Sequence, residues 1–278
     1  MYIAGLEINP PIMNASGIFS YSDILKNFDG VLGALVGKSV SLKEKHGYET
    51  PVIYRPARDL LMNAMGLPNP GAEAYATELA EFSFSVPFIV SLVGETPEEF
   101  AECVDIFERI APPDAYELNV SCPHPKGNEG IEMIYQNKVA DVTRAVKAHT
   151  HKPVIEKLSA VPQIGRIAYQ AVEAGADAIS AINTVPGLSL RNGRYELSNR
   201  AGGISGPAIK PIGLKAVMEI RQAVGVPVIG MGGIETAADV RDYMHAGADA
   251  VALGTVFCGM DTETAKQYLE NLRRELYE

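Results

Sequence analysis

The sequence is poor in cysteine, and its thiols are not spaced for a metal site. Only Cys103, Cys122 and Cys258 occur among 278 residues, and there is no CxxC motif. Zinc and iron–sulfur sites need several cysteines at short spacings, so we predict no metal site and three free thiols in a reducing compartment. We expect Cys103 and Cys258 to be buried, because a free cysteine usually packs as a small apolar side chain.

Clusters of positive charge and long apolar runs are also lacking. The chain has 24 Lys and Arg residues against 34 Asp and Glu residues, a net charge of −10. Without a basic cluster it cannot displace the counterions of nucleic acids or bind an anionic membrane surface. No window approaches the roughly 20 apolar residues that span a bilayer, and the first residues do not resemble a signal peptide. We expect a cytoplasmic protein without nucleic-acid or membrane partners.

What the sequence does contain is a series of short apolar runs rich in β-branched residues. With 47% hydrophobic and 21% charged residues, the chain is neither disordered nor collagen-like. Amphipathic segments at 96–111, 163–176 and 235–248 separate several of these runs and are predicted to be helices. Eight runs are predicted to be strands, near residues 11–16, 33–38, 87–93, 115–120, 153–158, 177–182, 227–232 and 250–255.

The alternation of apolar strands with helices predicts an α/β fold, a (β/α)8 TIM barrel. Strands that are apolar throughout need a sheet buried on both faces. Such barrels often form one domain, so we predict a single domain over residues 1–278. Residues 1–10 are expected to form a short N-terminal hairpin that closes the bottom of the barrel. The segments 41–62 and 185–204 lack a clear period and are expected to be loop insertions on the catalytic face.

Glycines follow the last two predicted strands, as Gly232-Gly233 and Gly254-Thr255. Phosphate binding by the loops after strands seven and eight recurs in these barrels. Glycine lets backbone N–H groups approach an anion, and a helix beginning near Glu235 would direct its positive end to the same point. The glycine-rich segment 202–206 is a third place where backbone N–H groups could approach the anion. We predict a phosphate site here, with glycine in tight turns as the alternative.

Lysines and a cysteine end other predicted strands. Lys38 and Lys157 would be costly in a barrel mouth unless they face an anion or an electron-rich ring, and lysines that merely extend to water are the alternative. Together with a phosphate site, they favour a large anionic cofactor. Cys122 enters a loop punctuated by proline and glycine. Lys126 or a protonated His124 would lower the pKa of its thiol, which suits a base or a nucleophile.

Four asparagines lie at predicted strand ends or in the first insertion. They are Asn63, Asn69, Asn119 and Asn183. An isolated asparagine is most often a turn residue. If several of them converge at one end of the barrel, they suit the amides and carbonyls of a planar heterocycle.

Motifs spread over nearly the whole chain occur in a characteristic order. The most specific are NAMGLPNPG (63–71), ELNVSCP (117–123) and GGISGPAIKPI (202–212). Shorter ones are NASG (14–17), GKS (37–39), EKLS (156–159), INT (182–184), GMGGI (230–234) and LGT (253–255). Together they resemble the class 1 dihydroorotate dehydrogenases, FMN-dependent oxidoreductases on a (β/α)8 barrel. The resemblance implies oxidation of dihydroorotate to orotate in pyrimidine biosynthesis.

The resemblance also implies a role for each strand-end residue. FMN would be held by Ser16, Lys38, Ser39, Asn119, Lys157, Ile182, Gly206, Gly232, Gly233, Gly254 and Thr255. Dihydroorotate would meet Lys38, Asn63, Ala64, Met65, Gly66, Leu67, Asn119, Asn183 and Thr184. Cys122 and Lys38 would be catalytic. Cys122 would remove the C5 proton while hydride leaves C6 for flavin N5, and Lys38 and Lys157 would stabilise negative charge on the reduced flavin.

The electron acceptor depends on which members of the family the chain resembles. The family includes fumarate-linked homodimers and NAD-linked complexes with a separate FAD and iron–sulfur subunit. NAMGLPNPG and GGISGPAIKPI are closer to the NAD-linked and archaeal type, whereas GKS is shared with the fumarate type. The chain has no GxGxxG motif and no cysteine cluster. An NAD-linked enzyme would therefore need a partner subunit, in a heterotetramer built on a homodimer.

Two positions depart from the family pattern. His124 stands where relatives usually have Asn, and Ser91 where many have an Asn that contacts the flavin. The CPH sequence also occurs in dihydropyrimidine dehydrogenases, so the reduction of uracil or thymine is the alternative function. A phosphosugar-processing barrel without flavin and a non-catalytic flavoprotein subunit are further alternatives. The two strand-end lysines argue against the first of these, and Cys122 argues against the second.

Overall fold

Eight parallel strands form a barrel in this protein. The structure, a computed structural model, describes residues 2–19, 22–120 and 138–278. The strands are β1 (Tyr2–Ile3), β2 (Leu6–Glu7), β3 (Ile12–Asn14), β4 (Leu35–Val36), β5 (Ile53–Ala57), β6 (Leu60–Asn63), β7 (Phe88–Leu92), β8 (Ala115–Asn119), β9 (Val154–Leu158), β10 (Ala178–Ala181), β11 (Val185–Leu188), β12 (Leu190–Arg191), β13 (Arg194–Tyr195), β14 (Ala201–Ser205), β15 (Val228–Met231) and β16 (Ala250–Leu253). The described α-helices are Ser22–Lys26, Ala72–Leu79, Pro97–Ile110, Lys138–Lys147, Ile164–Glu173, Lys210–Ala223, Ala237–Ala246 and Thr262–Tyr277.

The barrel sheet has the strand order β3-β16-β15-β10-β9-β8-β7-β4. It closes between its first and last strands, where Met13 forms a parallel bridge with Ala34. The Asn14 side chain completes this junction: it donates to the Val36 carbonyl at 2.6 Å and accepts the Val36 N–H at 2.9 Å. The predicted (β/α)8 barrel is therefore confirmed, and each of the eight predicted strands contains one barrel strand.

The barrel interior is apolar at the amino ends of the strands. Small residues such as Ala115 and Ala178 begin several barrel strands, and they share one apolar cluster with Ile3 and Ile8. Both isoleucines are completely buried, and full burial of such a side chain contributes about 1.5–3 kcal/mol. Ile3 lies on β1 and Ile8 directly follows β2, so the predicted hairpin at the bottom of the barrel is confirmed.

The helices pack outside the barrel through apolar faces at helical spacing. In the helix Pro97–Ile110, for example, Phe100, Val104 and Phe107 are completely buried. Thr96 begins that helix by accepting the Glu99 N–H at 3.3 Å, as its Thr-Pro sequence favours. Each of the three predicted helical segments contains one observed helix. No helix in the described ranges is long and apolar enough to cross a membrane.

The two insertions meet in a small antiparallel sheet at the carboxyl end of the barrel. Its order is β11-β14-β6-β5, and Asn63 on β6 lies opposite Gly203 on β14. The sequence predicts the position of these insertions but not their strands. Pairing between segments so far apart in the chain leaves no periodic pattern within either segment, and β5 is largely exposed on both faces.

Candidate active site

A cavity of about 690 Å³ lies at the carboxyl ends of the barrel strands. Small-molecule and cofactor sites usually have volumes of about 300–1,000 Å³, so the cavity is large enough for a cofactor. Its wall combines residues that end or follow β3, β4, β8, β9, β10, β15 and β16 with residues of the two insertions. Catalytic sites of (β/α)8 barrels lie at this end.

The structure brings most of the predicted site residues together in the cavity wall. All predicted cofactor residues line it: Ser16, Lys38, Ser39, Asn119, Lys157, Ile182, Gly206, Gly232, Gly233, Gly254 and Thr255. Further predicted substrate residues in the wall are Asn63, Met65, Gly66, Leu67, Asn183 and Thr184. Ala64 differs, because its side chain packs in an apolar cluster with Met62 and Leu197 instead. Cys122 and His124 lie outside the described residues.

The two remaining cysteines have different environments. Cys103 is completely buried, and burial raises the pKa of its thiol to about 12. Cys258 is exposed and lies in the cavity wall, so the expectation that it is buried is wrong. The reason is the 3-10 turn Thr255–Phe257, which separates Cys258 from the buried strand β16. Cys258 is therefore a wall residue that the sequence analysis missed.

The glycine-rich end of the cavity is formed by turns that approach each other closely. A Cβ atom on Gly233 would lie 2.9 Å from both the Gly206 carbonyl oxygen and the Lys210 nitrogen, and its φ is +71°. Glycine is therefore required for this approach. Tyr243 supports the turn by donating to the Gly232 carbonyl at 2.7 Å. Because the C=O and N–H of one peptide point in opposite directions, this bond turns the Gly233 N–H away from Tyr243.

The helix after β15 begins close to Glu235, as expected. It starts at Ala237, after a capping box formed by Thr236 and Asp239. The Asp239 carboxylate accepts the N–H groups of Glu235 at 3.0 Å and Thr236 at 2.8 Å, and it forms an ion pair with Lys210. These amides already have an anionic partner. A phosphate at this end would therefore depend on the glycine turns more than on the helix end.

The two predicted lysines occupy different parts of the cavity wall. Lys157 is buried, and its ammonium donates to Glu117 Oε1 at 3.2 Å, with only 5% and 6% of the two side chains exposed. Lys38 is partly exposed, and its ammonium lies 3.8 Å from the position that a Cβ atom on Gly17 would have. Lys157 is therefore an ion-paired residue of the barrel interior, whereas Lys38 lies nearer to solvent.

Glu117 accepts hydrogen bonds from three neighbouring strands. Besides Lys157 on β9, Ser91 on β7 donates to Oε1 at 3.2 Å and Ser180 on β10 donates to Oε2 at 3.1 Å. We call Ser91, Glu117, Lys157 and Ser180 the polar floor. Glu117 precedes Asn119 by two residues on β8, so both face the barrel interior. That spacing is the sequence signal that could have revealed this cluster.

Three of the four asparagines singled out in the sequence converge at the cavity. Asn63, Asn119 and Asn183 line it, and Asn183 donates to the Asn119 carbonyl oxygen at 3.2 Å. Asn69 instead organises a turn, with its carbonyl oxygen accepting the Gly71 N–H at 3.0 Å. In the described part of the chain, no group of three or more His, Cys, Asp or Glu side chains could hold a metal ion.

Comparison with known proteins identifies the family. A family model described as dihydroorotate dehydrogenase matches residues 1–276. The chain belongs to the dihydroorotate dehydrogenase family. It is 41% identical to "Dihydroorotate dehydrogenase B (NAD(+)), catalytic subunit" of Pyrococcus abyssi, over 99% of this chain and 92% of that protein. Proteins of the same name from Thermococcus kodakarensis and Geotalea uraniireducens are 39% and 38% identical, with the same coverage.

Membership of the dihydroorotate dehydrogenase family confirms the resemblance inferred from the motifs. The family is flavin-dependent, and the cavity has the features that a flavin needs. Gly206 and Gly233 give an anion close access to the backbone, and Ile182 supplies an apolar surface. Lys38 supplies positive charge, and Lys157 supplies an ammonium that is paired with Glu117. The residues present in the wall therefore fit the cofactor that the family implies.

Proposed function

We propose that this protein is the FMN-containing catalytic subunit of an NAD-linked dihydroorotate dehydrogenase. It oxidises dihydroorotate to orotate in pyrimidine biosynthesis. The observation that carries this proposal is the cavity in which two lysines, three asparagines and a glycine-rich end converge, in a chain matched by the family model over residues 1–276. The curated relatives are themselves named for the NAD-linked enzyme.

FMN is the flavin that the cavity wall suits. Its phosphate would bind at Gly206, Gly232, Gly233, Gly254 and Thr255, where backbone N–H groups are accessible to an anion. Its ring would be held by Ser16, Lys38, Ser39, Asn119, Lys157 and Ile182. When bound, FMN supplies an acceptor for the hydride that leaves C6 of the substrate.

Dihydroorotate would bind where the antiparallel sheet meets the barrel. Gly203 on β14 pairs with Asn63, and a Cβ atom on Gly203 would lie only 2.0 Å from Thr184 Oγ1. Asn63 and Thr184 therefore both lie next to Gly203. The amides of Asn63, Asn119 and Asn183 can donate and accept hydrogen bonds, as the amide groups of the substrate ring require. Lys38 adds a positive charge for an anionic substrate.

We assign proton removal to Cys122, which lies outside the described residues. The strand that precedes it, β8, ends with Asn119 in the cavity wall, and this supports the assignment. The thiolate would take the C5 proton as a general base. Lys38, the second catalytic residue, would stabilise the negative charge that develops during the transfer.

The proposal includes a partner subunit that carries electrons to NAD. The relatives are named as catalytic subunits, which implies a further subunit in those enzymes. The three cysteines of this chain have no short spacing, so an iron–sulfur cluster would have to lie on the partner, together with FAD. We infer a homodimer within a heterotetramer, a cytoplasmic location and one domain over residues 1–278.

The reduction of uracil or thymine is not favoured as the activity. Relatives that cover 99% of the chain are named dihydroorotate dehydrogenases, although His124 departs from the family pattern. The phosphosugar alternative fails because the family is flavin-dependent.

The visible spectrum of the purified protein tests the proposal, followed by anaerobic addition of dihydroorotate. We expect a yellow protein whose flavin absorbance is bleached by dihydroorotate. A yellow protein that responds to dihydropyrimidines but not to dihydroorotate would contradict the substrate. A colourless protein that cannot be loaded with FMN would contradict the cofactor and the activity together.

A further inference from the structure

One carboxylate of the polar floor has no role in the reaction proposed above. Glu117 is 4% exposed and is not part of the cavity wall. Its two oxygens accept from Lys157 at 3.2 Å, Ser91 at 3.2 Å and Ser180 at 3.1 Å. A buried carboxylate is costly unless it is paired and hydrogen-bonded. Three donors from three strands therefore make this a site built to hold a negative charge.

We propose that Glu117 is a positioning residue, which sets the charge and the hydrogen-bond direction beneath the flavin ring. The inference rests on the proposed function, in which Lys157 and Asn119 contact that ring. Glu117 contacts neither the flavin nor the substrate in this assignment. It acts through Lys157 by an ion pair, and through Asn119 by a chain of hydroxyl groups.

The ion pair determines how much positive charge the ring meets. The Lys157 ammonium would lie next to the ring, and charge at that place changes the electron affinity of a flavin. Because Glu117 pairs with Lys157 at 3.2 Å, the two groups together are close to neutral. Without the carboxylate, the ring would meet an uncompensated ammonium, which favours the reduced, more negative flavin. Glu117 therefore keeps the reduction potential lower than Lys157 alone would make it.

The carboxylate also fixes the direction of a hydrogen-bond chain. It can only accept, so Ser91 must donate its single proton to Glu117. Ser91 then accepts from Ser39 at 2.9 Å, and Ser39 in turn accepts from the Asn119 amide at 3.3 Å. The Asn119 carbonyl oxygen is thereby left to accept from Asn183 at 3.2 Å. A glutamine at position 117 can donate as well as accept, which removes this constraint.

A matched control residue lies on the neighbouring strand. Glu156 on β9 is completely buried, but it faces the helix Lys138–Lys147, where it is hydrogen-bonded to Thr143 at 2.9 Å. It is not in the cavity wall. Glu156→Gln therefore makes the same exchange of side chains at a buried site on the other side of the barrel wall from the polar floor. Burial raises the pKa of the Glu156 carboxyl well above its usual value, so this control separates the exchange of side chains from the loss of the carboxylate that pairs with Lys157.

The test measures the midpoint potential of the bound flavin in FMN-loaded wild-type, Glu117→Gln and Glu156→Gln proteins. In Glu117→Gln we expect the midpoint potential to rise by about 30 mV. For a two-electron couple, this rise corresponds to a ratio of reduced to oxidised flavin about tenfold higher at the same solution potential. Glu156→Gln should match the wild type. An unchanged potential in Glu117→Gln, or an equal shift in Glu156→Gln, would contradict the inference.

A second variant keeps the test decisive if Glu117→Gln does not fold. Glu117→Asp keeps the charge but withdraws it from Lys157 by one methylene group. We expect a smaller rise in the same direction, and no rise would overturn the inference. If the wild-type protein binds FMN and is reduced by dihydroorotate, but the Glu117 variants have the wild-type midpoint potential, this inference alone is refuted. A wild-type protein that cannot bind FMN refutes the proposed function.

Discussion

The same strands place apolar side chains at one end of the barrel interior and polar or charged side chains at the other. Near the amino ends of β7, β8, β9 and β10, the inward residues are Ile89, Ala115, Ile155 and Ala178. Two positions further along the same strands they are Ser91, Glu117, Lys157 and Ser180. Side chains alternate between the faces of a strand, so one step of two residues, about 6.6 Å, leads from the apolar layer to the polar floor.

This difference separates stability from function along the barrel axis. The apolar layer, closed by Ile3 and Ile8, stabilises the fold by removing apolar surface from water. The polar floor loses hydration on burial, and its ion pair offsets that cost without a large net gain. Substitutions in the apolar layer should therefore change the free energy of unfolding, and substitutions at the polar end should change cofactor binding and turnover.

The largest effect is expected from Cys122→Ala. Loss of a general base should lower turnover by about 10²–10⁴-fold, while FMN remains bound. Turnover with a saturating electron acceptor and the flavin absorbance of the purified variant measure the two effects separately. Cys103→Ala is the matched control, because that thiol is completely buried in the helix layer and away from the cavity. Turnover of the Cys122 variant near the wild-type rate would remove Cys122 from the mechanism.

Lys157→Ala should affect both FMN binding and the free energy of unfolding, so it does not fit the division between the two ends of the barrel. Removal of one partner from a buried ion pair leaves Glu117 uncompensated, which costs about 3–5 kcal/mol of unfolding free energy. The dissociation constant for FMN should also rise by about tenfold or more, since a positive charge near the ring is lost. Urea unfolding and fluorescence titration with FMN measure these effects. The exposed Lys215→Ala serves as control, and an unchanged FMN affinity in the Lys157 variant would argue against its cofactor role.

At the apolar end, Ile8→Ala should destabilise the protein and leave the site intact. Truncation of a completely buried isoleucine costs about 2–5 kcal/mol, because a cavity remains. The measurement is urea unfolding, combined with FMN titration under native conditions. Ile212→Ala, at a residue 41% exposed, should change the unfolding free energy by less than about 0.5 kcal/mol. Weaker FMN binding in Ile8→Ala would show that the two ends are coupled.

The sequence predicts the barrel well because each strand is buried on both faces. Such strands appear as separate apolar runs, and their polar ends mark the catalytic end of the fold. Lys38, Asn119 and Lys157 could be placed at the site for this reason, and the structure has all three in the cavity wall. Gly233 was recognisable because a tight turn after a strand restricts the choice of residue.

The remaining features depend on pairings that the sequence does not encode locally. The polar floor requires Glu117 to come within reach of Lys157 and Ser180, and this depends on the register of neighbouring strands, in which Lys157 pairs with both Asn119 and Ser180. The antiparallel sheet requires Asn63 to meet Gly203 across the chain. Cys258 was placed wrongly because the turn between it and β16 changes its exposure.

An effect on the pH dependence of stability alone is expected on the outer face of the same strands, at Glu156. Desolvation raises the pKa of this carboxyl well above its usual value, the Thr143 hydrogen bond opposes that shift, and the charge of Glu117 adds to it. The folded protein then keeps a proton that the unfolded chain has lost. The contribution of this group to the free energy of unfolding is fully present below the pKa of the unfolded chain, about 4.3. This contribution is lost as the pH rises through the raised pKa of the folded protein.

Glu156→Gln should therefore flatten the pH dependence of stability. One proton accounts for a slope of at most about 1.4 kcal/mol per pH unit, and the variant has no such proton to lose. Urea unfolding of both proteins between about pH 5 and pH 8 measures the slope. We expect the unfolding free energy of the wild type to fall more steeply with rising pH than that of the variant. Equal slopes would mean that Glu156 is ionised in the folded barrel, so that the inner and outer faces of β9 would both carry charge.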